Sequence, residues 1–218
     1  MDFGIKIRKM EYTEIEGDLI EMAKLGRFDV ITHGCNCFCT MGAGIAPQMA
    51  KAFSCDVFSM EKDHDFKSNS YIKVRVGDVN KLGNIQIRTF YQDKDNGKLT
   101  THKWHEGEKG VIFYENDYTD YYKFSKEVYR KSLADLHILT VINAYTQYHY
   151  GKNHKDGVDK PLDYEALTLC MQKINHTFPG KHIGLPLIGC GLAGGDWERV
   201  KAIIQKELFA MDVTIVHY

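Results

Sequence analysis

The chain has 218 residues, 44% of them hydrophobic and 26% charged, enough for one domain with a full core. Its 28 basic residues nearly balance 29 acidic ones, leaving a formal net charge of −1. That balance argues against a partner held by bulk charge, such as duplex DNA or an anionic membrane, so a bound phosphate would have to be held by local geometry. No run of 18 apolar residues occurs and the N-terminal residues carry no secretory signal pattern, so a cytoplasmic protein without a membrane span is expected. Six cysteines, three of them at 35, 37 and 39, read as reduced thiols in that compartment.

Taken in chain order, residues 28–33 predict a short buried strand. A stretch of small residues and glycines follows. Pro47 belongs in a helix's first turn, so a helix is expected from about Gly44 to Phe53. Residues 85–91 alternate as a second strand does, and residues 138–144 form a dense apolar run suited to a central strand. Asp163 can cap a helix whose apolar stripe is Leu167, Cys170, Met171, Ile174 and Phe178, ended by Pro179 and Gly180. Residues 183–188 predict a strand that opens into a second glycine-rich loop. Asp196 can cap a helix with Trp197, Val200, Ile204 and Leu208 on one face, and residues 213–218 predict the last strand. Strands alternating with helices imply an α/β layered fold with a largely parallel sheet. Residues 92–137 break the rhythm and read as an insertion into a single domain covering 1–218, with a hairpin at 111–114 and a short helix.

Two loops share one design, a strand, a glycine-rich turn and a helix start. The first is Met41 with Gly42, Ala43, Gly44 and Ile45; the second runs from Gly189 to Gly195. A helix N-terminus leaves backbone N–H groups unpaired and adds partial positive charge, while glycine lets the backbone approach a ligand closely. Each loop is therefore either a plain turn or an anion site without Lys or Arg, and two facing each other suit a diphosphate. The spacing of Gly189, Gly191 and Gly194 matches a dinucleotide fingerprint, yet the acidic residue and β-α-β unit that fingerprint needs do not follow. No P-loop motif occurs.

The residues Gly17-Asp18-Leu19-Ile20, the run from Ile31 to Cys37, the first glycine loop through Ala46, Val141-Ile142-Asn143-Ala144-Tyr145, and the run from Leu185 to Trp197 together resemble the macro domain family. More narrowly, they resemble its branch of ADP-ribose 1''-phosphate phosphatases and terminal ADP-ribose protein glycohydrolases. The resemblance covers 10–91 and 138–218. It implies a three-layer α/β/α fold around a mixed, largely parallel sheet. It also implies ADP-ribose or ADP-ribose 1''-phosphate as the ligand, with neither cofactor nor metal. By this resemblance Asp18 accepts from the adenine amino group and the Leu19 amide serves the ring; a turn residue is the alternative for Asp18. Asn36 reaches the distal ribose or else holds a tight turn. Gly42, Ala43, Gly44, Ile45 and Ala46, with Ile188, Gly189, Cys190, Gly191, Leu192 and Ala193, cradle the diphosphate and distal ribose. Tyr145 packs over the distal sugar or lies in the core.

The glycohydrolases of that branch use a lysine after the strand at 138–144 and an aspartate in the second glycine loop. Here Thr146-Gln147-Tyr148 and Ala193 stand instead, and Lys152 is out of register. His33 resembles the histidine implicated in the fungal-type phosphatases, and its pKa near neutrality suits proton transfer. The expected function is removal of the 1''-phosphate, with His33 as acid/base or phosphate ligand and Asn36 orienting the ribose. A histidine packed at a strand end is the plainer reading. A non-catalytic ADP-ribose module, or a hydrolase acting on modified protein or nucleic acid, are the alternatives. The spacing of Cys35, Cys37 and Cys39 does not suit zinc.

Overall fold

The structure, a computed structural model, describes residues 10–58, 63–65, 70–72, 76–93, 99–101, 136–150 and 160–218. In chain order the elements are β1 (Tyr12–Glu16), α1 (Leu19–Lys24), β2 (Val30–Asn36), α2 (Ala46–Phe53), α3 (Cys55–Phe58), β3 (Asp63–Asp65) and β4 (Ser70–Ile72). Then come β5 (Ile85–Asp93), β6 (Leu99–Thr101), β7 (Leu136–Gln147), α4 (Tyr164–Thr177), β8 (His182–Leu185), α5 (Trp197–Glu207) and β9 (Asp212–His217). The main sheet runs β1-β9-β8-β2-β7-β5-β6, and β3 pairs with β4 alone. Pairings from β1 through β7 are parallel, while β5 runs antiparallel to both β7 and β6. The mixed, largely parallel sheet expected from the alternation of strands and helices is present.

Alternation along the strands divides the core in two. Val30, Ile142, Ile183 and Ile215 face α4 and α5 through Leu167, Met171, Ile174, Val200 and Ile204. Ile31, Leu139, Val141 and Val216 face α1 and α2 through Ala23, Met49 and Phe53. Helices therefore cover both faces, as a sheet built of buried parallel strands requires, and the layers are α/β/α.

Several boundaries depart from the sequence pattern for identifiable reasons. β8 stops at Leu185 rather than 188, because Pro186 has no N–H for a ladder. β7 extends from Leu136 to Gln147, its polar ends drawn in by pairing with β5 along nine register positions. β1 is a half-exposed edge strand, too polar to register as apolar alternation. The helices capped by Asp163 and Asp196 are found, each carboxylate accepting from a backbone N–H three residues on. The hairpin at 111–114 and the short helix of the insertion lie outside the described residues. Among the described residues no helix is long and apolar enough to cross a membrane.

Leu167 is fully buried between α4 and the sheet, whereas Leu192 is largely exposed on a loop. Leu167→Ala is expected to destabilise the fold by about 2–5 kcal/mol. Leu192→Ala should change stability by less than about 0.5 kcal/mol. Urea unfolding followed by circular dichroism checks both.

Candidate functional site

Where the parallel strands end, a cavity of about 860 Å³ opens across their C-terminal edge, the place where open α/β sheets take ligands. Asp18 and Leu19 border it at one end, beyond β1. Gly42 to Ala46 form one wall, ahead of α2, and Ile188 to Ala193 form the other, ahead of α5. Gly34, Asn36 and Gln147 border it from β2 and β7. The two loops expected to face each other do so across this cavity.

The helix caps show how the cavity is made ready for an anion. Asp18, Asp163 and Asp196 cap α1, α4 and α5 with their carboxylates, but Ile45 gives α2 no side-chain cap. A carboxylate there would cancel the positive end of the helix dipole. Among the described residues, the N–H groups of Gly42, Ala43, Gly44 and Ile45 have no acceptor, nor do those of Gly191, Leu192 and Ala193. These donors sit at the cavity wall, where a ligand's phosphate oxygens can accept from them.

The second loop is held by packing beneath it. The Leu162 N–H donates to Ala193 O at 3.1 Å, and the Gly195 N–H to Gly189 O at 2.9 Å. Gly189 has φ +75°, and a Cβ there would lie 2.7 Å from Leu162 Cδ1. Gly34 meets a second constraint, since a Cβ would sit 3.0 Å from Thr146 Oγ1 and 3.3 Å from Ile188 Cγ1. The strand can pass close under the loop only because Gly34 has no side chain.

Asp18 borders the cavity and caps α1, Oδ1 accepting from the Ile20 and Glu21 N–H groups at 2.8 and 3.0 Å. The sequence left a choice between ligand contact and turn residue; the structure gives it the cap and a place at the cavity's edge. Asn36 borders the cavity while its side chain holds the loop. Its Oδ1 accepts from the Phe38 and Thr40 N–H groups at 3.0 and 3.2 Å, and its Nδ2 donates to Thr40 O at 3.0 Å. The tight-turn reading of Asn36 is therefore met, and one Nδ2 proton remains for a ligand.

Two expectations are corrected. His33 does not border the cavity. It is fully buried (0% exposed) and lies on the other face of β2 from Gly34 and Asn36. There its Nε2 pairs with Asn143 Oδ1 at 2.8 Å, and the Asn143 Nδ2 donates to Cys55 O. Burial lowers its pKa from the usual range to about 4, against a smaller opposing effect of the Asn143 hydrogen bond. The physical reason is the period of two along a strand: residue 33 and residue 34 cannot share a face. Tyr145 is likewise core. Its hydroxyl donates to Gln86 Oε1 at 2.7 Å and receives Lys81 Nζ at 3.4 Å, while its ring packs among Cys35, Cys39 and Met41.

Cys190 does border the cavity, but burial and the nearby Asp196 carboxylate push its thiol up to about 11, the wrong direction for a nucleophile. Among the described residues no three His, Cys, Asp or Glu side chains gather as a metal site, and no Lys, Arg, His or Glu borders the cavity. Lys152 lies outside the described residues. Sequence reasoning did not single out Gln147, Tyr150, Leu187, Val216 and Tyr218 as site residues, although all border the cavity. They come from strand ends and from the turn after β8, which carry no motif of their own.

No family model matches the chain. A curated relative, an uncharacterised 17.5 kDa protein of the tk–vs intergenic region of phage T4, is 26% identical over 208 residues and covers 94% of each chain. Among solved structures, a protein of unknown function from Bacteroides thetaiotaomicron shares 22% identity at a TM-score of 0.53, covering 96% of this chain and 99% of that one. The Thermosipho africanus DarTG structure in complex with ADP-ribose aligns at 16% identity and a TM-score of 0.53, over 97% of this chain and 43% of its own. The chain has the macro domain fold. The two glycine loops wall the strand-end cleft, and among the described residues both carry donors without acceptors.

The buried His33 gives stability a pH dependence with a definite sign. Its folded pKa of about 4 lies below the unfolded value, so the unfolded chain binds the proton first. The stabilisation is complete above about pH 6.5 and is lost as pH falls toward 4, on the order of 3 kcal/mol in total. Urea midpoints between pH 7 and 4 should fall steeply, and His33→Gln should flatten that slope.

Proposed function

We propose that this chain binds ADP-ribose in the strand-end cleft. The observation that carries the reading is the uncapped N-terminus of α2 facing the second glycine loop, both walls offering backbone N–H groups to one cavity. Two such walls suit a diphosphate. Asp18 at the β1 end supplies a carboxylate acceptor for an exocyclic amine, and the exposed Leu187 gives the cavity apolar surface. A solved structure with a segment of similar fold, Thermosipho africanus DarTG, is in complex with ADP-ribose, which supports this choice of ligand.

Binding, rather than hydrolysis of the 1''-phosphate, is the reading the geometry favours. The hydrolytic route expected from the sequence ran through His33, which lies on the opposite face of β2 with its ring nitrogen engaged by Asn143. Of that expected pair only Asn36 borders the cleft, and an amide neither gives nor takes the proton that the hydrolysis needs.

Isothermal titration with ADP-ribose tests the proposal; an absence of binding at millimolar ligand overturns it. Asp18→Asn separates the two roles of that residue. Asn caps a helix about as well as Asp, so thermal stability should hold within about 1 kcal/mol. Affinity for ADP-ribose should drop about tenfold with the loss of the charged acceptor. Inorganic phosphate release from ADP-ribose 1''-phosphate is expected to remain at background.

A further inference from the structure

The cleft runs along the C-terminal edge of the parallel strands. From Asp18 beyond β1 to Gln147 at the end of β7 it crosses four strand spacings, roughly 19 Å at about 4.8 Å each. A ligand with its base at Asp18 and its diphosphate between the glycine loops presents its second sugar at Gln147. Tyr150, three residues on from Gln147 in the chain, borders the same cavity and is 51% exposed.

Tyr150 belongs to an ordered aromatic ledge. One face of its ring is covered by His149, with centroids 4.5 Å apart and planes 17° from parallel. Phe38 meets His149, Tyr148 and Tyr150 edge-on at 4.8, 5.5 and 6.2 Å. The ledge is pinned at both roots. The Tyr148 hydroxyl donates to Gly77 O at 3.1 Å, and the Phe38 N–H donates to the Asn36 Oδ1 that also shapes the first loop. Tyrosine offers large contact area at little cost in rotamer freedom, and stacked rings accept planar bases regardless of their hydrogen-bonding edges.

We propose that this ledge is a stacking subsite for a planar nitrogen heterocycle carried on the sugar beyond the diphosphate, so that the cleft prefers a dinucleotide to a ligand ending at that sugar. The inference rests on the ADP-ribose reading and adds a second ring to it. A cationic ring gains further from the electron-rich face of Tyr150.

The test compares ADP-ribose with NAD+, which is ADP-ribose bearing a nicotinamide on its second sugar. By titration calorimetry the full chain should bind NAD+ roughly tenfold more tightly than ADP-ribose, and the nicotinamide proton resonances should move upfield on binding. Tyr150→Ala should cost NAD+ the larger loss and bring the two affinities within about twofold; Tyr150→Trp should keep the preference. Equal or weaker binding of NAD+ by the unaltered chain overturns the subsite while the ADP-ribose reading stands. So does a Tyr150→Ala loss equal for both ligands. Binding of neither ligand overturns the ADP-ribose reading, and the subsite with it.

Discussion

The parallel pairing of β2 with β7 governs both the core and the cleft. Its register sets His33 beside Asn143 and Cys35 beside Tyr145, which sends those side chains into the layer beneath α2 and α3. The same register leaves Gly34 under the second glycine loop and brings Asn36 to the strand's end. At that end the pairing shifts by one residue between Cys35 and Asn36, and the Cys37 N–H is shared between the carbonyls of Gln147 and Tyr148. Such an irregularity bends a strand and re-aims the residues that follow. Here it falls where Gln147, the last residue of β7, borders the cleft.

The cleft offers a ligand backbone donors and not side-chain cations. Among the described residues no cationic side chain borders it, in keeping with a chain whose net charge is −1. Donors fixed in a loop cost little to reorganise when a ligand arrives. The packing of Leu162 under Gly189 and the close approach of Gly34 to Ile188 supply that fixity. The same contacts explain why small residues recur where a larger one would be tolerated by an ordinary turn.

Chemistry that looks reactive in the sequence is silenced by burial. Cys35, Cys37 and Cys55 all have thiols pushed above their usual range, burial being the largest cause in each case. His33 is driven the other way by the same cause. A neutral imidazole and protonated thiols pack as small polar and apolar groups, so this cluster serves the core of the sheet.

The sequence by itself determined the elements whose signals are local. The capping aspartates Asp163 and Asp196, the position of Pro47 and the helical stripe from Leu167 to Ile174 each depend on neighbours a few residues away. The macro domain resemblance and thirteen loop and cap positions bordering the cleft came from the same short-range runs, because glycine-rich turns write their geometry into consecutive residues. Only the tertiary structure decided which face each strand residue takes. His33 stands next to the cleft residue Gly34 in β2 yet faces away from it, and a one-residue change of register would have turned it to the cleft. It also decided the rim, since Gln147, Tyr150 and Val216 border one cavity only when β7 and β9 are set in the order β1-β9-β8-β2-β7, a long-range pairing that no window of sequence contains.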